Sequence, residues 1–220
     1  MIQIFDRANL VPGLHVARRA NAPVSKAILL ATGIRTEPLW KLPILGYDKY
    51  ISTIVGVTHD ASFVVDPEDG RLKIGDALGG SVNKCVFTEI EEWERGCLEE
   101  GHRILVGRPL GATNDQLAAA AKWWVDNVAG KKYDHVANAQ LLVKAVVGDW
   151  ISYKVGLYSR FFCTEGVQGA YERGARCDPY WPNKNGTPGT STRRYGSGRF
   201  ELELRALTVD GVNYLARFRA

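Results

Sequence analysis

The sequence predicts an α+β fold, and three observations predict it. Runs of strand-forming residues over 52–66, 71–77 and 84–90 follow one another, with only turn residues between the first two. A capped, amphipathic helical pattern over 113–130 comes after them, and a further helix opens at Phe161-Phe162-Cys163. Strands gathered together, with helices before and after, argue for helices packed on an antiparallel sheet rather than for alternating βαβ units.

Taken in order, residues 14–33 mix Ala, Val, Ile and Leu, and Ser25-Lys26 starts a short helix that ends at Gly33. Residues 34–50 contain Pro38, Trp40, Pro43, Gly46 and Tyr47 and read as an irregular insertion. Pro67-Glu68-Asp69-Gly70 has the chemistry of a turn, so 52–66 and 71–77 form a hairpin. Ile104 to Arg108 is a further short strand. Thr113-Asn114-Asp115-Gln116 is a capping box, with Thr113 as N-cap and Gln116 reaching back, and Gly130 stops the helix it opens. A second helical stretch covers 136–147, after Tyr133-Asp134, and the cysteine helix runs to about Tyr171. Residues 176–198 are rich in Pro, Gly, Asn, Ser and Thr and read as a long loop. Residues 199–207 and 212–219 alternate as a terminal β-hairpin around Val209-Asp210-Gly211.

Composition narrows the function classes. At 220 residues the chain can bury one full core, and 45% hydrophobic with 24% charged residues is ordinary for a globular domain. The net charge of +4 is spread along the chain, and Arg193-Arg194 and Lys131-Lys132 are too short for a nucleic-acid patch; no nucleic-acid partner is expected. Met1–Ala20 contains Asp6, Arg7, Arg18 and Arg19 and no apolar core, so no secretory signal is expected, and no run reaches transmembrane length. Such a chain is soluble and cytoplasmic as made, and work at a cell envelope would require delivery. Cys85, Cys97, Cys163 and Cys177 show no CxxC spacing, so neither a metal site nor a cofactor is expected; a disulfide between two of them stays open.

One cysteine stands where its chemistry can be switched on. A thiol in the first turn of a helix feels the positive end of the helix dipole, which favours thiolate, and Cys163 is so placed. His59 lies in the apolar stretch 55–65, on a strand that can deliver it to that thiol across about a hundred residues of chain. Nucleophilic catalysis also needs a third group to hold the imidazole. Asp76, on the neighbouring strand, can share the His59 face, with Glu89 on the following strand as competitor. Asp60 points to the opposite face of the His59 strand and is excluded from that role. His102 and His135 read as surface or structural residues, and Trp181, beside Tyr180 and Pro182, as an exposed aromatic.

Four segments together resemble the circularly permuted branch of the NlpC-type papain-like cysteine peptidase and amidase superfamily, in which the histidine strand precedes the cysteine helix. They are Ser25-Lys26-Ala27-Ile28 with Thr58-His59-Asp60-Ala61; Ile74-Gly75-Asp76-Ala77, then a strand and Glu92-Trp93; Arg108-Pro109, the capped helix and Gly130-Lys131-Lys132-Tyr133-Asp134; and Phe162-Cys163-Thr164-Glu165-Gly166-Val167. Thr164 stands where the family more often has serine, and residues 176–220 have no counterpart. The resemblance implies a permuted papain-like catalytic domain over 1–175, a loop and hairpin extension over 176–220 packed on it, and a site of Cys163, His59 and Asp76. Glu165 and Tyr133-Asp134 would then serve the structure around it. The implied activity is hydrolysis of an amide bond, with a peptidoglycan stem peptide as favoured substrate, in a phage particle or another delivered assembly whose subunits the extension could meet. Two other readings share the scaffold: a lipid acyltransferase or thioesterase-like enzyme, which would favour a second histidine at position 76, and an adaptor with a vestigial site.

Overall fold

Five residues that alternate poorly form an inner strand of the sheet. The computed structural model describes residues 4–19, 57–137, 139–140, 160–181, 187–209 and 212–216. In it, strand β1 (His15–Arg19) lies between β2 (His59–Val65) and β5 (Arg103–Pro109), antiparallel to both. Buried on both faces, its first half has no polar side to show, which is why His-Val-Ala does not read as a strand. β2 pairs in turn with β3 (Leu72–Leu78), Ser62 opposite Gly75 and Val65 opposite Leu72. The turn between them is built by Asp66, whose carboxylate accepts from the Glu68 amide and whose carbonyl accepts from the Gly70 amide, both at 2.9 Å.

With β4 (Lys84–Thr88), β6 (Lys132–Tyr133), β7 (Arg160–Phe161), β8 (Phe200–Val209) and β9 (Val212–Ala216), the described strands make one nine-stranded sheet. Its order is β7-β6-β4-β3-β2-β1-β5-β8-β9, and only β6 and β7 run parallel. The helices are α1 (Ile90–Glu99), α2 (Asn114–Asn127), α3 (Cys163–Gly169), which continues into a π-helical turn over Ala170–Ala175, and α4 (Pro188–Gly196). The architecture is α+β, with helices on both faces. Trp93 of α1 packs with Phe5 on the side of Phe63, whereas Trp124 of α2 lies against Phe87 and Gly75 on the other. Gly75 is what lets α2 settle there, because a Cβ on it would come within 2.9 Å of the Trp124 ring. Thr113 and Gln116 close the capping box at the start of α2.

Two further elements differ from the sequence expectation. The strand expected over 84–90 ends at Thr88, and Ile90 begins α1, whose buried positions Ile90, Trp93, Glu94 and Cys97 follow helical spacing. The loop expected over 176–198 contains α4: Thr187 caps it by accepting from the Thr190 amide, and Pro188 occupies the first turn, where its missing N–H costs nothing. Composition suggested a loop there, but Thr-Pro is also a helix start. The terminal hairpin forms, and β8 pairs with β5, so it prolongs the central sheet. The helix expected over 25–32, the insertion 34–50, residues 52–56 and the second helical stretch from 141 onward lie outside the described residues; residues 135–137 are helical.

Candidate active site

The segment that carries the cysteine is held before the helix begins. Tyr133 and Phe161 face each other in the parallel β6–β7 pair, and the Asp134 amide donates to the Phe161 carbonyl at 3.1 Å. Asp134 also accepts from the Ala137 amide at 2.9 Å, so Tyr133-Asp134 clamps the strand that runs directly into the nucleophile. Phe162 is extended, with φ −98° and ψ 171°, and Cys163 opens α3 with its side chain buried. Its Sγ lies 3.9 Å from Thr164 Oγ1.

His59 is the first residue of β2. Its Nε2 is hydrogen-bonded to Asp76 Oδ1, and Cys163 lies near enough to act on its pKa. Since Asp76 takes Nε2, Nδ1 is the nitrogen left for the sulfur. One step beyond the Ser62–Gly75 pair sets Asp76 across from Ala61, on the face His59 shares. The second Asp76 oxygen accepts from Trp93 Nε1 at 3.3 Å. The structure thus brings Cys163, His59 and Asp76 together. It does not bring Glu89 to them: that carboxylate is held by Arg71 at 2.9 Å and Lys73 at 3.0 Å, at the far end of the hairpin.

The electrostatics follow from this packing. Burial alone would lower the His59 pKa, but the Asp76 charge and hydrogen bond, with the neighbouring Cys163, outweigh it and raise it to about 10. Burial likewise opposes ionisation of Asp76, yet His59, Arg18 and Trp93 together hold its pKa below the usual carboxylate range. At neutral pH the pair is an imidazolium on a carboxylate. The remaining cysteines are free as well. Burial pushes the thiols of Cys85 and Cys97 up to about 12, and Cys177 is half-buried and also shifted upward.

Sequence reasoning missed two groups near this site. Arg18, opposite His59 on β1, stacks its guanidinium 5.3 Å from the centroid of Trp93 and adds positive charge beside Asp76. His15 is wholly buried against Asp60, with no spacing relation to any other motif residue that a reader could have used. Of the other histidines, His135 is exposed and bonded to Asn83, whereas His102 is buried beside Glu100. Trp181 is exposed, as its loop context suggested.

No family model matches the chain, and no curated protein matches it. Among solved structures it is similar to one described as the crystal structure of metalloprotein yiiX from Escherichia coli O157:H7, DUF1105. The two are 17% identical with a TM-score of 0.46, over 94% of this chain and 97% of that one. Among the described residues, no three His, Cys, Asp or Glu side chains are placed to hold a metal ion, and no helix is long and apolar enough to cross a membrane.

Proposed function

We propose that this protein is a cysteine hydrolase of the papain-like kind, in which Cys163 is the nucleophile, His59 its acid–base partner and Asp76 the group that orients His59. The observation that carries the reading is the imidazole held between a buried carboxylate and a thiol in the first turn of a helix. In the reaction, Sγ attacks the carbonyl carbon of an amide, and the oxyanion forms beside the opening turn of α3. The His59 imidazolium gives its proton to the leaving amine as the C–N bond breaks, which leaves a thioester. His59 then takes a proton from water, the hydroxide attacks the thioester, the C–S bond breaks and a carboxylic acid leaves. Asp76 keeps Nε2–H directed inward throughout, so Nδ1 does the proton transfer. The order of motifs along the chain supports a peptidoglycan stem peptide as substrate, cut by a protein delivered to the cell wall as part of a phage particle or similar assembly.

The decisive test is the rate of iodoacetamide alkylation of Cys163 against pH, in a Cys177→Ser background so that the half-buried thiol does not compete. Fast labelling that persists well below pH ~8.5, the ordinary cysteine value, and that collapses in His59→Ala, is the expected result. Slow labelling indifferent to His59 would overturn the reading and favour an adaptor. Given an activated pair, release of peptide from muropeptides, abolished by Cys163→Ala, supports the stem-peptide substrate; turnover confined to long-chain acyl esters favours the acyltransferase.

A further inference from the structure

Directly behind the nucleophile runs a second buried polar chain that the hydrolytic reading leaves unused. Thr164 Oγ1 donates to Asp60 Oδ2; Asp60 Oδ1 is 2.9 Å from His15 Nε2; His15 Nδ1 is 2.8 Å from the Tyr195 hydroxyl. Asp60 and His15 are fully buried, and Thr164 is too. One proton arrangement satisfies every member: His15 donates from Nε2 to the carboxylate and accepts at Nδ1 from Tyr195. An aromatic box closes around His15, with Phe200 5.0 Å and Tyr195 5.6 Å away between ring centroids, and Tyr195 in turn stacked on Phe200 at 4.7 Å. Gly107 makes room for this arrangement, since a Cβ there would meet the Tyr195 ring at 2.6 Å.

Two consecutive residues of β2 therefore grip two consecutive residues of α3: His59 takes Cys163 on one side of the sheet, and Asp60 takes Thr164 from the other. The Thr164 bond ties the first turn of α3 to β2 at the residue next to the nucleophile. We propose that Asp60 is a positioning residue for the nucleophile, acting through Thr164 and itself held by His15 and Tyr195. In this role α4, which supplies Tyr195, is part of the site's support. The inference rests on the hydrolase reading, because what it positions is Cys163 against His59.

The test uses the same alkylation assay, full chain, Cys177→Ser background, with thermal unfolding measured alongside. Thr164→Val, which keeps shape and removes the hydroxyl, and Asp60→Asn are expected to slow Cys163 labelling at pH 7 at least ~10-fold. They are also expected to make its rate rise with pH where the parent is flat. Thr164→Ser is expected to restore the parental profile. If these variants fold and label as fast as the parent with the same pH profile, the proposal is overturned, even if they melt earlier. Should Thr164→Val and Asp60→Asn both fail to fold, Tyr195→Phe decides: slower labelling upholds the proposal, and a lower melting temperature with unchanged labelling overturns it. A parent whose labelling is already indifferent to His59→Ala overturns the hydrolase reading instead, so the two failures are distinct.

Discussion

His59 and Asp76 form a pair whose charge each needs, and their pKa shifts set opposite limits on stability. The His59 pKa rises on folding from 6.5 to about 10, so its contribution is full below 6.5 and is lost as pH climbs through 10. The Asp76 pKa falls on folding, so its contribution is present above its ordinary 3.8 and is lost as pH drops below it. The pair therefore stabilises most between these ordinary values. Denaturant unfolding of the parent is expected to show a decline between pH 6.5 and 10 that is absent from a His59→Gln, Asp76→Asn double variant. A parallel decline in both would remove the pair as its cause. The two candidate acids also separate by mutation. Asp76→Asn is expected to cut hydrolysis or His59-dependent labelling by about 10² or more, in the range for a misdirected acid–base group. Glu89→Gln, which alters a carboxylate held by Arg71 and Lys73 away from the site, is expected to leave it within about twofold.

At the scale of elements, legibility in the sequence followed how local each element's cause is. The 66–70 turn, the capping box at Thr113 and the terminal hairpin are fixed by neighbours a few residues apart, and each was readable. So was the His59–Asp76 relation, because hairpin geometry alone places Asp76 near it. β1 was not, since its place is set by β2 and β5 on either side, and His15 gains its meaning only from partners 45 and 180 residues away. α1 and α4 had readable signals, helical spacing in one and Thr187-Pro188 in the other, but neighbouring strand and loop composition masked them. The contact between α2 and the sheet depends on a missing side chain. Gly75→Ala is expected to destabilise the fold by about 1–3 kcal/mol, the range for overpacking, and to change the emission of the buried Trp124. An unchanged unfolding midpoint would show that α2 can retreat at no cost.

Across the whole molecule, Phe200 is the residue where distant parts meet. It begins β8, and its ring contacts Tyr180, His15 of β1, Tyr171 of the π turn, and Tyr195 of α4. Truncation to alanine is expected to cost about 3–5 kcal/mol, the usual toll of a large buried aromatic. It is also expected to lower the single unfolding transition as a unit. Two separate transitions, only one of them shifted, would mean that the C-terminal elements fold apart from the rest.

The tandem His59-Asp60 has one more consequence, for how the chain finds its register. A slip of β2 by one residue against its neighbours would turn the imidazole toward the Thr164 side and the carboxylate toward the Asp76 side. Two acids would then face each other, and Thr164 would meet a ring in place of its acceptor. The mispaired strand is thus penalised on both faces at once, and the residues that would do the chemistry also proofread the assembly of the sheet beneath them.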